Sequence, residues 1–295
     1  MEEDELKNYL KASEVAKKVK PFAMELVKPG APLLEIAEKV EAKIIEEGAR
    51  PAFPVNISIN ENAAHYTPSA ADAATLGEKD LVKIDIGIHS SGFVVDFAFS
   101  VDCSGENTSL VEASEKALEA ALSKMRAGVN VREVGKEIEN AIKGRGFVPI
   151  RNLCGHLMEE FNLHAGQEIP NHAEGNYILK EGEVYAVEPF ATLGEGKVVE
   201  GEYCEIFSLI EENKKVRLPH SRKLLEIIDS EFNKLPFAKR WIKDIPPSSL
   251  DLALADLLKQ GIIRAYPVLR EAKRVNVSQA ETTVIIEKDG VNVLV

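Results

Sequence analysis

The sequence predicts an α+β fold made of two related halves, each with two helices followed by strands. The main observation is an internal repeat at an offset of 98 residues, in which segment 30–51 matches segment 128–149 at six of 22 positions. The matches include two glycines and a closing proline, and apolar residues agree along both copies, so duplication explains the pattern better than chance. Because the apolar residues recur at helical spacing, each copy is predicted to contain a helix that ends near a glycine.

Each repeat follows another predicted helix and precedes strands. The preceding helices are expected at about 4–27 and 108–126, and Pro21 is expected to kink the first one or to end it early. After the repeats, residues 80–85 align with residues 183–188, and each segment is a short apolar run that ends in a carboxylate. Two helical layers over a curved, mostly antiparallel sheet fit this order of elements.

Segment 213–271 interrupts the second half and is expected to form a small helical module with a winged-helix character. Helices are predicted in it at about 219–231, 236–242 and 249–260. The flanking segments, 1–212 and 272–295, are then expected to form one body. The chain is predicted to finish with a hairpin whose strands are 282–287 and 291–295.

The composition is that of an ordinary globular protein, with 45% hydrophobic and 28% charged residues. The acidic N-terminus lacks the basic start and apolar core of a signal peptide. No apolar stretch approaches the roughly 20 residues that a membrane-spanning helix needs. Cys103, Cys154 and Cys204 form neither a disulfide framework nor a zinc pattern. These observations predict a cytoplasmic location and no membrane partner.

The formal charge of −12 is spread unevenly along the chain. Segment 213–274 has 14 basic and 7 acidic residues, so it carries +7 and the remainder carries −19. Such a basic segment is either a solvated surface or a means of docking near RNA, for example at the ribosomal exit tunnel. Because no arginine-rich or RNP-like motif occurs, no specific DNA partner is expected.

Residues 84–97 are the most informative passage, with two apolar strands flanking a polar turn that contains glycine. Centring the turn between Ser90 and Ser91 pairs apolar residues with apolar residues throughout. In that register Asp85 lies directly opposite Asp96, with Cβ atoms roughly 4.5–5.5 Å apart. Two such carboxylates repel each other unless a proton or cation lies between them, and two divalent ions would suit the pair.

Two other interpretations of the aspartates are an exposed strand surface and an acid dyad, although the usual Asp-Thr/Ser-Gly setting of the dyad is absent. Further candidates support the metal interpretation. Glu188 ends an apolar strand and Glu281 begins another, and carboxylates in such strands usually need a partner. A lone histidine is more often structural, but one histidine with four carboxylates suits Mn²⁺, Fe²⁺, Co²⁺ or Zn²⁺ in a hydrolytic site.

Taken together, these passages resemble the methionine aminopeptidases, specifically the type 2 branch in its short archaeal form, over essentially the whole chain. The passages that carry the resemblance are Phe53-Pro54, Ala63-Ala64-His65-Tyr66-Thr67-Pro68, Lys83-Ile84-Asp85 through Asp96, Gly155-His156, His164-Ala165-Gly166, Val187-Glu188-Pro189-Phe190, Arg217-Leu218-Pro219 and Leu235-Pro236-Phe237-Ala238 through Trp241. The last of these, together with the long insertion, points to type 2 rather than type 1.

The resemblance implies the pseudo-symmetric "pita-bread" fold of creatinases and aminopeptidases, with 1–212 and 272–295 as the catalytic domain and 213–271 as the inserted module of type 2. It implies two divalent metal ions (Co, Mn, Fe or Zn) and five ligands: Asp85, Asp96, His156, Glu188 and Glu281. Glu188 is also implied as the acid/base group. His65 and His164 are implied as catalytic and substrate-binding residues. Phe53, Leu163 and Tyr266 either line the apolar methionine pocket or pack in the core.

The implied reaction is removal of the N-terminal methionine from nascent polypeptides, preferentially before a small second residue, by an enzyme expected to be a monomer. The sequence departs from the type 2 pattern at two positions. Thr282 stands where a histidine usually follows the last ligand, and Asn213 stands where a pocket histidine is usual. Both changes are expected to alter the pocket without touching the five ligands.

Two other functions are compatible with the same fold. One is a proline dipeptidase or creatinase-like hydrolase, which the type 2 insertion disfavours. The other is a non-catalytic binding module for nucleic acid, histones or ribosomes. Such modules usually lose ligand residues, whereas all five are present here.

Overall fold

The computed structural model describes residues 1–210 and 216–295. The helices in these ranges are α1 (Glu3–Leu26), α2 (Leu33–Glu46), α3 (Thr108–Lys124), α4 (Val131–Lys143), α5 (Pro219–Ile227) and α6 (Pro247–Lys259). The strands are β1 (Arg50–Pro51), β2 (Asn56–Ile59), β3 (Asn62–Ala64), β4 (Leu81–Ser90), β5 (Phe93–Asp102), β6 (Val148–Pro149), β7 (Cys154–Met158), β8 (Glu168–Pro170), β9 (Val184–Val187), β10 (Phe190–Thr192), β11 (Val198–Glu200), β12 (Ile206–Leu209), β13 (Phe237–Ala238), β14 (Ile263–Tyr266), β15 (Leu269–Glu271), β16 (Val277–Gln279), β17 (Thr282–Ile286) and β18 (Val291–Val293).

The two halves predicted from the internal repeat follow the same backbone path. Gly30 and Gly128, three residues before α2 and α4, both have φ of 84°, a conformation that favours glycine. Their N–H groups donate to the carbonyls of Leu76 and Leu179, at 2.7 and 2.8 Å. Because the matching residues occupy matching positions in both halves, the predicted pseudo-symmetry is confirmed.

Helix α1 continues through Pro21, so the prediction that this proline ends the helix early is wrong. Pro21 is exposed, while Tyr9, Val15 and Val19 on the opposite face are buried in the core shared with β4 and β5. Burial of that apolar face stabilises the whole helix, because tertiary packing rather than local propensity supplies most helix stability.

Two sheets meet at the centre of the molecule. In one, β4 pairs with β1, β2 and β5, and in the other the order is β18-β17-β9-β7-β8. Ala98 on β5 and Glu281 before β17 join them through an antiparallel bridge, in which the N–H of Glu281 donates to the carbonyl of Ala98 at 3.0 Å. Helices α1 and α2 pack on one apolar core and α3 and α4 on another. This is the predicted α+β architecture with antiparallel strands.

The turn between β4 and β5 consists of Ser91 and Gly92, and not of Ser90 and Ser91 as the sequence predicted. Both turn residues have positive φ, 49° and 90°. Positive φ at both central residues defines the type I′ turn that suits a two-residue hairpin loop. Ser90 therefore pairs with Phe93, and every later pair in the hairpin is displaced from the predicted register by two residues.

Asp85 and Asp96 are consequently diagonal neighbours, and the predicted directly opposed pair is wrong. Asp85 pairs with Ala98, and Asp96 pairs with Gly87. Side chains alternate between the two faces of a strand, so a shift of two residues leaves both aspartates on the same face. The ring of Phe53 packs directly against Gly87, because this residue has no Cβ. A Cβ at this position would lie 2.2 Å from the ring.

A three-stranded sheet of order β13-β12-β14 lies beside α5 and α6 around a further apolar core, with β13 and β14 from the inserted segment and β12 from the chain just before it. The helix predicted at 236–242 is wrong, because Phe237 and Ala238 form strand β13 and only Lys239–Trp241 form one 3₁₀ turn. Pairing of Phe237 with Phe207 on β12 explains the extended backbone. The boundary predicted at Asn213 lies outside the described residues, so the limits of the module stay a prediction.

Strands β17 and β18 form the predicted C-terminal hairpin, with Ile286 paired with Val291. Among the helices in the described ranges, none combines the length and the apolar character that crossing a membrane requires.

Candidate metal centre

The five predicted ligands come from five strands or their ends and line one cavity of about 380 Å³. Asp85 lies on β4 and Asp96 on β5, His156 lies on β7, Glu188 directly follows β9, and Glu281 directly precedes β17. The antiparallel hairpin and the bridge between the two sheets therefore bring together side chains that are almost 200 residues apart in sequence.

His156 lies between carboxylates at distances that suit ligands of a shared ion. Its Nε2 atom is 3.7 Å from Asp96 Oδ2 and 3.9 Å from Glu188 Oε1. Ligand atoms of Asp96, His156 and Glu281 all lie within 4.8 Å of one another. These separations are too long for hydrogen bonds. They match two ligands on one cation, because protein nitrogen and oxygen ligands bind zinc at about 2.0–2.2 Å.

Burial gives the four carboxylates a strong preference for the protonated form when no cation is present. Burial and neighbouring carboxylates raise the pKa of Asp96 and Glu281 well above the usual range, and burial with the charge of Asp85 does the same for Glu188. Burial also raises the pKa of Asp85 to about 7. Four carboxylates with this property need either protons or cations as partners.

Two oxygen atoms in the cluster have no hydrogen-bond partner within the described part of the chain. They are Oδ1 of Asp85 and Oδ1 of Asp96, and both are buried. Buried polar atoms are rarely left without a partner, and unpaired atoms in a carboxylate cluster are consistent with an ion that they bind. The donor set is oxygen-rich with one imidazole, so the residues fit a divalent cation. The buried group of Asp96, His156 and Glu281 therefore supports divalent-metal binding.

Neighbouring polar side chains orient the proposed ligands. Gln279 Nε2 donates to Glu281 Oε2 at 2.9 Å. Thr283 Oγ1 donates to the carbonyl of Asp96 at 2.8 Å and accepts from its N–H at 2.7 Å. Sequence analysis did not identify Gln279 or Thr283. The available signal was the spacing, since each lies two residues from Glu281 along an extended segment and so shares its face.

Two further histidines reach the same cavity, and both are neutral at neutral pH. The ring of His164 lies 4.3 Å from that of His156, and partial desolvation of the ring lowers the pKa of His164 although the residue as a whole is exposed. Burial lowers the pKa of His65 to about 4. His65 has φ of 66°, and its Nδ1 lies 3.2 Å from the carbonyl oxygen of Pro267. A carbonyl only accepts, so Nδ1 carries the proton and Nε2 is left as an acceptor.

An apolar wall completes the cavity. The predicted pocket residues Phe53, Leu163 and Tyr266 all line it. Sequence analysis did not identify two further lining residues, Ile206 on β12 and Pro236 in the inserted segment. One end of the cavity is therefore acidic and the other is suited to an apolar side chain.

The two departures from the type 2 pattern are Thr282 and Asn213. The hydroxyl of Thr282 donates to the backbone oxygen of Val295. Asn213 lies outside the described residues.

Fold and centre together define a metal-dependent peptidase, and residues 7–220 match the model of metallopeptidase family M24. The chain is 49% identical over 285 residues to the methionine aminopeptidase of Pyrococcus abyssi, and the match covers 96% of each chain. A solved structure of a thermophilic Arx1 has a TM-score of 0.90 at 19% identity, with 100% of this chain and 91% of that chain covered. The methionine aminopeptidase of Thermotoga maritima has a TM-score of 0.73 at 18% identity, with 100% and 97% covered. At these identities the two structures show the fold alone.

The chain belongs to the methionine aminopeptidases of family M24, and it is a metallo-exopeptidase. This confirms the family, the pita-bread fold and the enzyme class that the sequence predicted.

Proposed function

We propose that the chain removes the N-terminal methionine from nascent polypeptides, preferentially when the second residue is small, with two divalent ions bound at the centre. The observation that carries this proposal is the convergence of the ligand atoms of Asp96, His156 and Glu281 within 4.8 Å of one another at the end of a partly apolar cavity. The apolar end suits a methionine side chain, and the acidic end suits metal-assisted hydrolysis.

In this proposal Asp85, Asp96, His156, Glu188 and Glu281 would together hold the two ions. Bound ions supply a water whose pKa is lowered enough to give hydroxide near neutral pH. The site accepts Co²⁺, Mn²⁺, Fe²⁺ or Zn²⁺ by ligand type. Number and identity of the ions are the parts of the proposal that metal analysis tests directly.

Glu188 is proposed to carry a proton to the leaving amine. As a carboxylate that lines the same cavity, it would take the proton from the attacking water and release it to that amine. The neutral His65 would accept a hydrogen bond from the substrate amide N–H through Nε2. His164 would donate to the carbonyl oxygen as negative charge develops on it. Phe53, Leu163 and Tyr266 would surround the methionine side chain.

The setting of this activity is also proposed. Substrates would be the N-termini of newly made chains in the cytoplasm, and the enzyme would act as a monomer. The segment 213–274, with its net charge of +7, would favour proximity to ribosomal RNA. If binding to ribosomes is absent, or does not change with salt concentration, this part of the proposal fails while the catalytic part stands.

The test compares wild type with Asp96→Ala and with Asp289→Ala, a control in the exposed turn between β17 and β18. Metal content is measured together with cleavage of Met-Gly-Met-Met and of X-Pro dipeptides. We expect Asp96→Ala to bind less metal and to lose activity by more than about a hundredfold, because it removes a ligand rather than a neighbour of one. Asp289→Ala should match wild type.

Other outcomes identify the rival functions. Faster cleavage of X-Pro dipeptides than of methionyl peptides would indicate a proline dipeptidase. A wild-type protein without bound metal and without metal-dependent hydrolysis would indicate a non-catalytic binding module. Full activity of Asp96→Ala would contradict the proposed ligand set.

A further inference from the structure

The cavity of the metal centre continues into a trench on the surface. The trench consists of two further cavities of about 410 and 500 Å³. The inner one shares Cys154 and Glu168 with the cavity of the metal centre, and the outer one shares Arg151 and His172 with the inner one. The three cavities therefore adjoin in a row that leads from the metal centre to exposed residues such as Lys197.

A polypeptide substrate needs such a path. Its first residue would occupy the cavity of the metal centre, and all the residues after the cleaved bond must leave that cavity. The cavity of about 530 Å³ beside Trp241 shares no lining residue with the centre, whereas the trench does. Strand β8 forms one wall of the trench through Glu168 and Pro170 and is the edge strand of its sheet. Edge strands commonly bind extended peptides.

The position of Glu168 next to the centre follows from the sheet register. Glu168 on β8 pairs with His156 on β7, so the two side chains project from the same face of the sheet. Directly paired residues have Cβ atoms roughly 4.5–5.5 Å apart. Glu168 is exposed and lines both the cavity of the metal centre and the trench.

Among the charged residues of the trench, Glu168 and Lys197 have no ion pair with any residue in the described ranges, and of these two only Glu168 also lines the cavity of the metal centre. Arg151 pairs with Glu139 at 3.2 Å, and Glu195 pairs with Lys273 at 2.8 Å. The charge that lies beside the centre without a partner is therefore negative. Such a charge attracts a basic side chain of a bound peptide and repels an acidic one.

We propose that the trench binds the residues that follow the cleaved bond, and that Glu168 makes the enzyme favour substrates with a basic residue at position 3 or 4 over substrates with an acidic one. This inference rests on the proposed function, because it assigns the part of a polypeptide substrate that extends beyond the metal centre.

The experiment measures kcat/KM of the metal-loaded enzyme for Met-Ala-Xaa-Ala-Ala and Met-Ala-Ala-Xaa-Ala, with lysine, glutamine or glutamate as Xaa. For wild type we expect lysine to be favoured over glutamate by about fivefold at one or both positions, as exposed charge pairs allow. Glu168→Gln should bring this ratio close to one, and Glu168→Lys should invert it. The wild-type ratio should shrink in 1 M salt, where the Debye length is about 3 Å.

The matched control is Glu119→Gln, an exposed glutamate on α3 outside the trench, and it should keep the wild-type ratio. Because the ratio compares two substrates on one enzyme sample, a variant with reduced metal content still gives a valid value. A wild-type ratio near one, or a ratio that is the same in all three forms of residue 168, overturns the inference while methionine removal stands. Failure to cleave any methionyl peptide overturns the proposed function, and the inference falls with it.

Discussion

Replacing Arg240 with leucine should destabilise the protein strongly, because Arg240 is the charged partner of a buried carboxylate. Glu41 on α2 is 7% exposed and Arg240 in the inserted segment is 5% exposed. Glu41 accepts hydrogen bonds from Arg240, from Trp241 Nε1 at 2.9 Å and from the N–H of Val55 at 3.2 Å. Arg240 Nη1 also donates to Thr67 Oγ1 at 2.9 Å. These contacts hold the inserted segment against the body.

The expected cost of Arg240→Leu is about 3–5 kcal/mol, since removing one partner of a buried ion pair leaves an uncompensated charge. In the double variant Glu41→Gln, Arg240→Leu, no buried carboxylate at residue 41 is left without a charged partner. In that background we expect the leucine substitution to cost at least about 2 kcal/mol less, which is the coupling expected for residues in one network.

The cost should also depend on pH. Burial is the largest influence on the pKa of Glu41 and raises it, while the charge of Arg240 lowers it. In Arg240→Leu the lowering influence is gone, so the pKa in the folded state rises further above the unfolded value of 4.5. The unfolded chain then loses its proton at a lower pH than the folded one. Stability is therefore lost as pH rises from about 4.5 through the folded pKa.

Guanidinium unfolding followed by tryptophan fluorescence measures this effect, because Trp241 is the one tryptophan in the chain. Its indole N–H donates to Glu41, so the probe lies within the network. The reasoning is refuted if Arg240→Leu costs less than about 1 kcal/mol at pH 7, well below the range for a broken buried pair. It is also refuted if Arg240→Leu lowers the free energy of unfolding equally at pH 5 and pH 7. The same holds if it lowers that free energy as much in the Glu41→Gln background as in wild type.

Two further substitutions test the geometry of the cavity. Gly87→Ala should push the Phe53 ring into the cavity, because the new Cβ would lie 2.2 Å from that ring, so kcat/KM for methionyl peptides should fall more than about tenfold. Gly290→Ala is the matched control, since a Cβ there meets nothing within 4 Å, and equal activity of the two variants would contradict the expectation. Gln279→Leu removes the hydrogen bond to Glu281 and should weaken metal binding by about 10–100-fold in a calorimetric titration. An unchanged dissociation constant would show that Gln279 does not orient this ligand.

The fold was predictable from the sequence where local pattern and tertiary structure agree. Gly30 and Gly128 of the repeat have positive φ, the strand that precedes Glu188 is a continuous apolar run, and the strand that follows Glu281 ends in three apolar residues. The hairpin register was not predictable from apolar pairing alone, since a shift of two residues keeps every side chain on its face. Only the preference of Ser91-Gly92 for a type I′ turn distinguishes the two registers.

The remaining errors arise from tertiary contacts that a sequence pattern does not contain. Residues 236–242 have helical spacing, but β12 supplies hydrogen-bond partners that make Phe237 and Ala238 extended. Orienting contacts such as that of Gln279 with Glu281 depend on side-chain conformation, and sequence spacing shows only that the two residues share a face. The four carboxylates of the cavity could be identified from the sequence because a buried carboxylate in an apolar strand requires a partner.

The network of Arg240 also connects the inserted segment to the shape of the cavity. Pro236 lines the cavity and lies four residues before Arg240, while Ile206 and Tyr266, which pair across β12 and β14, line it from the same sheet. Weakening the attachment of this sheet should therefore displace the apolar wall without moving the proposed metal ligands, which lie on other strands. For Arg240→Leu we expect KM for methionyl peptides to rise while metal content stays at the wild-type level. Loss of metal in this variant would show instead that the inserted segment supports the metal centre itself.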